Sequence, residues 1–131
     1  MFKKLQNLMD SHAETSETHV DESLRTHYFK TNKTAVLREI KKILENDSNF
    51  RELGYSEDRG EVTFEAMEPK NAFVVISVIT VRANRTAVDI TASTETSFPF
   101  NFGKNKRLII KIYNELKNQL PFAGTSMAEK L

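Results

Sequence analysis

The stretch FVVISVITVR, residues Phe73 to Arg82, is the longest apolar run in the chain and the richest in β-branched side chains. Alternate side chains of an extended strand point to opposite faces, and here both faces are apolar. One face holds Phe73, Val75, Ile79 and Val81, and the other holds Val74, Ile76 and Val78. A strand that is apolar on both faces is typical of the middle of a sheet with a cover on each side. The nature of the second cover is the functional question that this sequence raises.

Length and composition indicate one soluble domain. The chain has 131 residues, of which 39% are hydrophobic and 28% charged, and this suits a single core. No apolar run approaches the roughly 20 residues of a membrane-spanning helix, so no transmembrane segment is predicted. Lys3 and Lys4 resemble the start of a signal peptide, but Gln6, Asn7 and Asp10 interrupt the apolar segment that should follow. The predicted location is the cytoplasm.

The residue content excludes several kinds of chemistry. The chain has no cysteine, which excludes disulfides, thiolate catalysis and cysteine-based zinc sites. Lys and Arg number 19 and Asp and Glu number 18, so the net charge is only +1. That balance is too even to attract nucleic acid or an anionic membrane without a local patch.

No catalytic or metal site is predicted. His12, His19 and His27 lie seven and eight residues apart, a spacing that matches no zinc pattern, so they are interpreted as solvated. The chain has no Gly-x-Ser-x-Gly and no Ser-x-x-Lys motif. Glu52 and Glu65 are predicted to face each other, but exposed carboxylates near a sheet edge usually serve only against aggregation. We therefore predict a protein that is not an enzyme and has no cofactor.

The periodicity predicts a strand, a helix, four strands and a second helix. The first strand covers residues 26–30, and Thr31 and Asn32 are suitable N-caps for the helix that follows. The apolar positions of this helix are Val36, Leu37, Ile40, Ile43 and Leu44. Further strands are predicted at 50–56, 61–67, 73–82 and 88–93. The last helix is predicted from about Lys104 to Leu120, because Pro121 stops it.

These elements predict an α+β domain with a single antiparallel sheet of about five strands and both helices on one face. The order β-α-β-β-β-β-α is similar to the half-repeat layout of the TATA-binding-protein-like fold, which is a resemblance of architecture. The predicted organisation is an amphipathic segment and polar linker over 1–24, the α+β domain over 25–121 and a flexible tail over 122–131.

Two segments also resemble a known family. They are VDITASTETSFPFNFGKNKRLIIKIY, residues 88–113, and HYFKT, residues 27–31. Both look like segments of a family of small uncharacterised cytosolic proteins of Gram-positive bacilli. The resemblance implies a bacterial, cytoplasmic protein with the fold of that family, and it implies no activity.

Closing each predicted hairpin around its turn produces apolar cross-strand pairs throughout. They are Tyr55–Val62, Leu53–Phe64, Phe64–Val75, Ala66–Phe73, Ile79–Ile90 and Val81–Val88. The opposite, open face would then carry an apolar patch of Met67, Val74, Ile76 and Val78, and soluble monomers tend to cover such a patch. We predict an interaction module that forms a homodimer through this face. Glu52, Glu65, Asp89 and Glu95, against Arg82 alone, predict that the face does not bind nucleic acid.

The alternative is a small-molecule or anion-binding domain. Phe98, Phe100 and Phe102 lie around a proline in a predicted loop. Lys104, Lys106 and Arg107 follow at the predicted start of the last helix, where free N–H groups and the positive end of the helix dipole favour an anion. The sequence leaves both functions open.

Overall fold

The computed structural model describes residues 12–68, 72–94 and 100–126. The amphipathic segment predicted over 1–9 lies outside these ranges. The helices are α1 Lys33–Asn46 and α2 Phe100–Gln119, and a short 3-10 helix covers Glu22–Leu24. The strands are β1 His12–Glu14, β2 His27–Phe29, β3 Phe50–Ser56, β4 Glu61–Ala66, β5 Ala72–Arg82, β6 Arg85–Ser93 and β7 Phe122–Gly124.

The described strands form one antiparallel sheet in the order β3-β4-β5-β6-β2-β7, and β1 also pairs with β6. The predicted α+β class, with a single antiparallel sheet and two helices, is confirmed, although the sheet has more strands than the predicted five. The additional strands β1 and β7 come from segments that were predicted to be linker and flexible tail. Residues 12–24 and 122–124 therefore belong to the domain.

The register of β5 differs from the prediction by one residue against β4 and by three residues against β6. Phe64 pairs with Val74, and Ile90 pairs with Ile76. The pair Tyr55–Val62 is confirmed. The wrong pairs are Leu53–Phe64, Phe64–Val75, Ala66–Phe73, Ile79–Ile90 and Val81–Val88. As a result, the two faces of the central strand are exchanged relative to the prediction.

Ser77 provides the physical reason for this exchange. It lies among the odd-numbered side chains of β5, so burying that set would place its hydroxyl in the core, where an unpaired polar group costs about 1–3 kcal/mol. Ser77 pairs instead with Asp89 on the other face. Register shifts at Leu53 in β3 and Val81 in β5 absorb the extra residues.

Both helices pack on the sheet face that carries Val74, Ile76 and Val78, and these three side chains are at most 1% exposed. The contribution of α1 is the predicted set Val36, Leu37, Ile40, Ile43 and Leu44, and that of α2 is Leu108, Ile109, Ile112, Tyr113 and Leu116. The predicted N-cap of α1 is confirmed, since the side-chain oxygen of Asn32 accepts the Ala35 N–H at 2.8 Å. A single core therefore lies between the helices and one face of the sheet.

One edge of β6 is shared by two strands, β1 at one end and β2 at the other. Thr15 bridges the gap between them, because its N–H donates to the Ile90 carbonyl and its Oγ1 accepts the Ile90 N–H at 2.9 Å. The hydroxyls of Thr15 and Thr26 both donate to Oδ1 of Asp89 at 2.7 Å. These bonds close the base of the loop 16–25 and satisfy backbone groups that an interrupted edge strand would leave unpaired.

His27 is buried in β2, not solvated as predicted. It is 3% exposed, and its ring stacks on that of Tyr113 with centroids 3.6 Å apart. Its Nδ1 lies 2.8 Å from the Arg25 carbonyl, which can only accept, so Nδ1 carries the proton. Burial lowers the pKa of His27 from 6.5 to about 4.

We expect acid to destabilise the fold through His27. Below pH 6.5 the unfolded chain binds a proton that the folded chain binds only near pH 4. The stabilisation is therefore complete above about pH 6.5 and is lost as the pH falls to about 4, with a maximum loss of about 3 kcal/mol. Urea unfolding between pH 6.5 and pH 4 measures this loss of stability, and His27→Phe should make the free energy of unfolding less dependent on pH in that range.

Asp21 does not contribute in this range. Its pKa is lowered from 3.8 to about 2, so the stability that it contributes is lost only at lower pH. If the free energy of unfolding changed equally with pH in the unmodified chain and in His27→Phe, the loss of stability would not come from His27.

Candidate functional site

The sheet face turned away from the helices, called the outer face, carries an apolar stripe along β5. We define the outer stripe as Phe73, Val75, Ile79 and Val81; the last lies at the bulge. Phe73 is 44%, Ile79 54% and Val81 36% exposed, although β5 is a central strand of the sheet. No helix of the described residues covers this stripe. It is the largest group of exposed apolar side chains on one element among those residues.

This stripe replaces the predicted interaction face. Val74, Ile76 and Val78 lie in the core beneath the helices, so they cannot contact a partner. Met67, which follows β4, is 46% exposed and is the one member of the predicted set that remains accessible. The predicted open face exists, but the alternate residues of β5 form it.

Of the acidic residues predicted for the open face, Glu65 and Asp89 lie on the outer face and Glu52 does not. Glu52 lies on the helix side, where Lys41 of α1 donates to both of its carboxylate oxygens at 3.1 and 3.2 Å. Glu65 forms an ion pair with Arg51 on the neighbouring strand. Asp89 accepts the two threonine hydroxyls described above. Glu95 lies outside the described residues. By register, Glu61 opposite Ser77 and Glu14 opposite Thr91 add two carboxylates to the outer face that were not predicted there.

The side of the outer face nearest β7 is closed by a small second cluster. Tyr28 of β2, Ala87 of β6 and Ala123 of β7 are buried together, away from the main core. The Tyr28 hydroxyl donates to Glu17 of the loop 16–25 at 3.0 Å. Burial, with that carboxylate beside it, raises the pKa of Tyr28 to about 12. These three side chains therefore add no exposed apolar surface to the outer face.

The basic residues predicted near an anion do not act together. Helix α2 begins at Phe100, so the residues from Gly103 to Arg107 lie in its second turn and not at its N-terminus. Lys106 forms an ion pair with Asp21 of the loop 16–25 at 2.5 Å. Phe98 lies outside the described residues, as do the side chains of Phe100 and Phe102. Of the six predicted ligand residues, only Lys104 and Arg107 can be placed in one site.

That site is a shallow, open cleft of about 350 Å³ between α2 and the sheet ends beside it. Its lining residues are Lys104, Arg107, Leu108 and Lys111 of α2, with Asn49 before β3 and Glu68 after β4. Four of these residues were not predicted as site residues, namely Leu108, Lys111, Asn49 and Glu68. The spacing of 104, 107, 108 and 111 along one helix would have identified the α2 wall, because side chains three and four apart share a face.

The side chains of His19 and His27 are both held by hydrogen bonds to the backbone. His19 accepts the Asp21 N–H on Nδ1 at 3.0 Å, and His27 bonds to a carbonyl. Within the described ranges, no group of three or more His, Cys, Asp or Glu side chains could hold a metal ion. In the same ranges, neither α1 nor α2 is long and apolar enough to cross a bilayer.

The functional candidates are thus the outer stripe, which is apolar, and the cleft, which is cationic. They lie on different sides of the molecule, since the cleft is lined by α2 and the outer stripe faces away from it. No protein-family model matches this chain, and no curated protein is significantly similar to it in sequence.

Proposed function

We propose that this protein is a non-enzymatic interaction module that self-associates through its outer face. The observation that supports the proposal is the exposure of Phe73, Ile79 and Val81 on a central strand. Exposed apolar surface marks interaction sites in soluble proteins, and here it forms two groups, Phe73 with Val75 and Ile79 with Val81, on either side of Ser77. A second copy is the occupant that we favour, because two such faces pack as the two layers of a β-sandwich.

The size of the outer face suits a weak dimer. Strand β5 has 11 residues, and at about 3.3 Å per residue it spans roughly 36 Å. With the six residues of β4 and the nine of β6 beside it, at about 4.8 Å per strand, the face covers about 400 Å² in projection. Two copies would bury about 800 Å², which is the size of a weak, transient interface. The dimer should therefore dissociate on dilution.

The polar groups around the outer stripe do not oppose its burial. Thr63 and Thr91 are the cross-strand neighbours of Val75, and both are uncharged. Three carboxylates lie beside the stripe, and each has a partner within the same copy. Glu65 pairs with Arg51, and Asp89 accepts two threonine hydroxyls. Glu61, the cross-strand partner of Ser77, lies 3.7 Å from Arg59. An interface becomes unfavourable when it buries a charge that has no partner, and these three carboxylates each have one.

We expect Ile79→Thr combined with Val81→Thr to abolish self-association. Threonine keeps the β-branched shape that suits a strand but removes apolar surface, so the fold should change by less than about 0.5 kcal/mol. Sedimentation equilibrium over a dilution series measures the mass. The unmodified chain should rise from 15.0 kDa towards twice that value as its concentration increases, and the double variant should stay at 15.0 kDa.

Val20→Thr is the matched control. Val20 is 93% exposed in the loop 16–25, so this variant makes the same chemical change away from the outer stripe. It should dimerise like the unmodified chain. A mass of 15.0 kDa for the unmodified chain at every concentration, or dimerisation of the double variant, would refute the proposal.

A further inference from the structure

We propose that the cleft between α2 and the sheet ends binds a small phosphorylated molecule, with Lys104 and Arg107 holding its phosphate. This site is independent of the outer face. Three cations, Lys104, Arg107 and Lys111, lie along one side of α2 and line the same cleft.

The wall opposite α2 is held in place by hydrogen bonds. The side chain of Asn49 donates to the Glu68 carbonyl at 2.9 Å and accepts the Glu68 N–H at 2.7 Å. The Asn49 N–H in turn donates to Asp47 Oδ1 at 2.9 Å. The side-chain nitrogen and oxygen of Asn49 therefore both have partners. The residue supports the wall of the cleft and does not contact the ligand. Because these hydrogen bonds already hold the wall in place, its residues need little rearrangement when a ligand binds.

One of the three cations, Lys111, is already neutralised, whereas the other two are not. Lys111 lies 2.7 Å from Asp47 Oδ2, and this ion pair holds the pKa of the Asp47 carboxyl below its usual value. Lys104 and Arg107 have no ion pair with any described carboxylate. They can offer a point charge and a planar guanidinium fork, the combination that recognises phosphate.

The size of the cleft and the apolar side chain that lines it indicate a ligand larger than an inorganic ion. A volume of about 350 Å³ lies within the range of small-molecule sites, roughly 300–1,000 Å³. Leu108, only 7% exposed, provides an apolar surface beside the two cations. The ligand chemistry that fits is a phosphomonoester with a compact apolar or ring-shaped remainder. Glu68, which also lines the cleft, opposes the anion and limits its affinity.

Phenyl phosphate is the probe, and its binding is followed by chemical shifts of the 15N-labelled protein at constant ionic strength. We expect saturable shifts in the amides of residues 104–111 and of Asn49. Inorganic phosphate should bind at least about threefold more weakly, because it makes no contact with Leu108. Lys104→Gln and Arg107→Gln should each weaken phenyl phosphate binding about tenfold, the usual effect of losing a charge-assisted contact.

Two variants make the test specific. Lys106→Gln removes the same charge from the same helix, but Lys106 is paired with Asp21 outside the cleft, so the affinity should change by less than about twofold. Glu68→Gln should tighten binding several-fold by removing the opposing charge. Equal losses for Lys106→Gln and Lys104→Gln would show only general surface attraction and would overturn the proposal. Absence of saturable shifts, or equal affinities for phenyl phosphate and inorganic phosphate, would also overturn it.

Discussion

Replacing Ile76 with alanine should lower the free energy of unfolding by about 2–5 kcal/mol, while Ile79→Ala should lower it by less than about 1 kcal/mol. Ile76 is 1% exposed and packs in the core with its cross-strand partners Val62 and Ile90. Truncating it removes buried methyl groups and leaves a cavity. Ile79, on the opposite face of the same strand, is 54% exposed and has little packing to lose.

The two isoleucines control for each other, because the residue type, the strand and the change are the same. Urea unfolding should be measured at low protein concentration, where self-association does not contribute to stability. A larger loss for Ile79→Ala than for Ile76→Ala would mean that the register of β5 is the one predicted from the sequence. Such a result would also remove the outer stripe and the self-association proposal.

Gly60→Ala should destabilise the protein by about 3 kcal/mol or more. Gly60 ends the turn before β4 with φ +63°, a left-handed conformation that favours glycine. A Cβ at this position would lie 2.1 Å from the Val78 carbonyl oxygen, which is backbone and cannot move aside as a side-chain end would. The Gly60 carbonyl also accepts the Val78 N–H at 2.7 Å, so any shift weakens the contact between this turn and β5.

Gly103→Ala is the matched control for Gly60→Ala. Gly103 lies inside α2, where the nearest neighbour of an added Cβ would be Arg107 Nη1 at 3.7 Å, an ordinary contact. Alanine should therefore stabilise the helix by about 0.5–1 kcal/mol. Thermal unfolding of both variants should shift in opposite directions. Similar shifts would contradict the close approach of Gly60 to β5.

Local patterns predicted most of the elements. Strand β3 has the predicted bounds, and α1 has both the predicted apolar positions and the predicted N-cap. These features depend on neighbours within a few residues, so they can be read from sequence. The short strands β1 and β7 could not be predicted, because three-residue segments with polar neighbours become strands only when an existing sheet edge pairs with them.

The candidate sites show the same division. Lys104 and Arg107 were predicted as anion-binding residues from local charge, and they do line one cleft. Lys106 was predicted with them, but it points to the loop 16–25, where Asp21 pairs with it from a position 85 residues earlier in the chain. The opposite wall, Asn49 and Glu68, comes from two separate strand ends. No spacing rule brings these distant residues together.

The sequence by itself determined that β5 is a central strand and that both of its faces are apolar. It did not determine which face packs against the helices, because both sets of alternating side chains are apolar and either register pairs them with apolar partners. The tertiary structure decided this by burying Val74, Ile76 and Val78 beneath the helices and leaving Ser77 with Asp89 outside. The physical reason is that burial of apolar area is nearly equal for the two faces, whereas burial of an unpaired hydroxyl is unfavourable for only one.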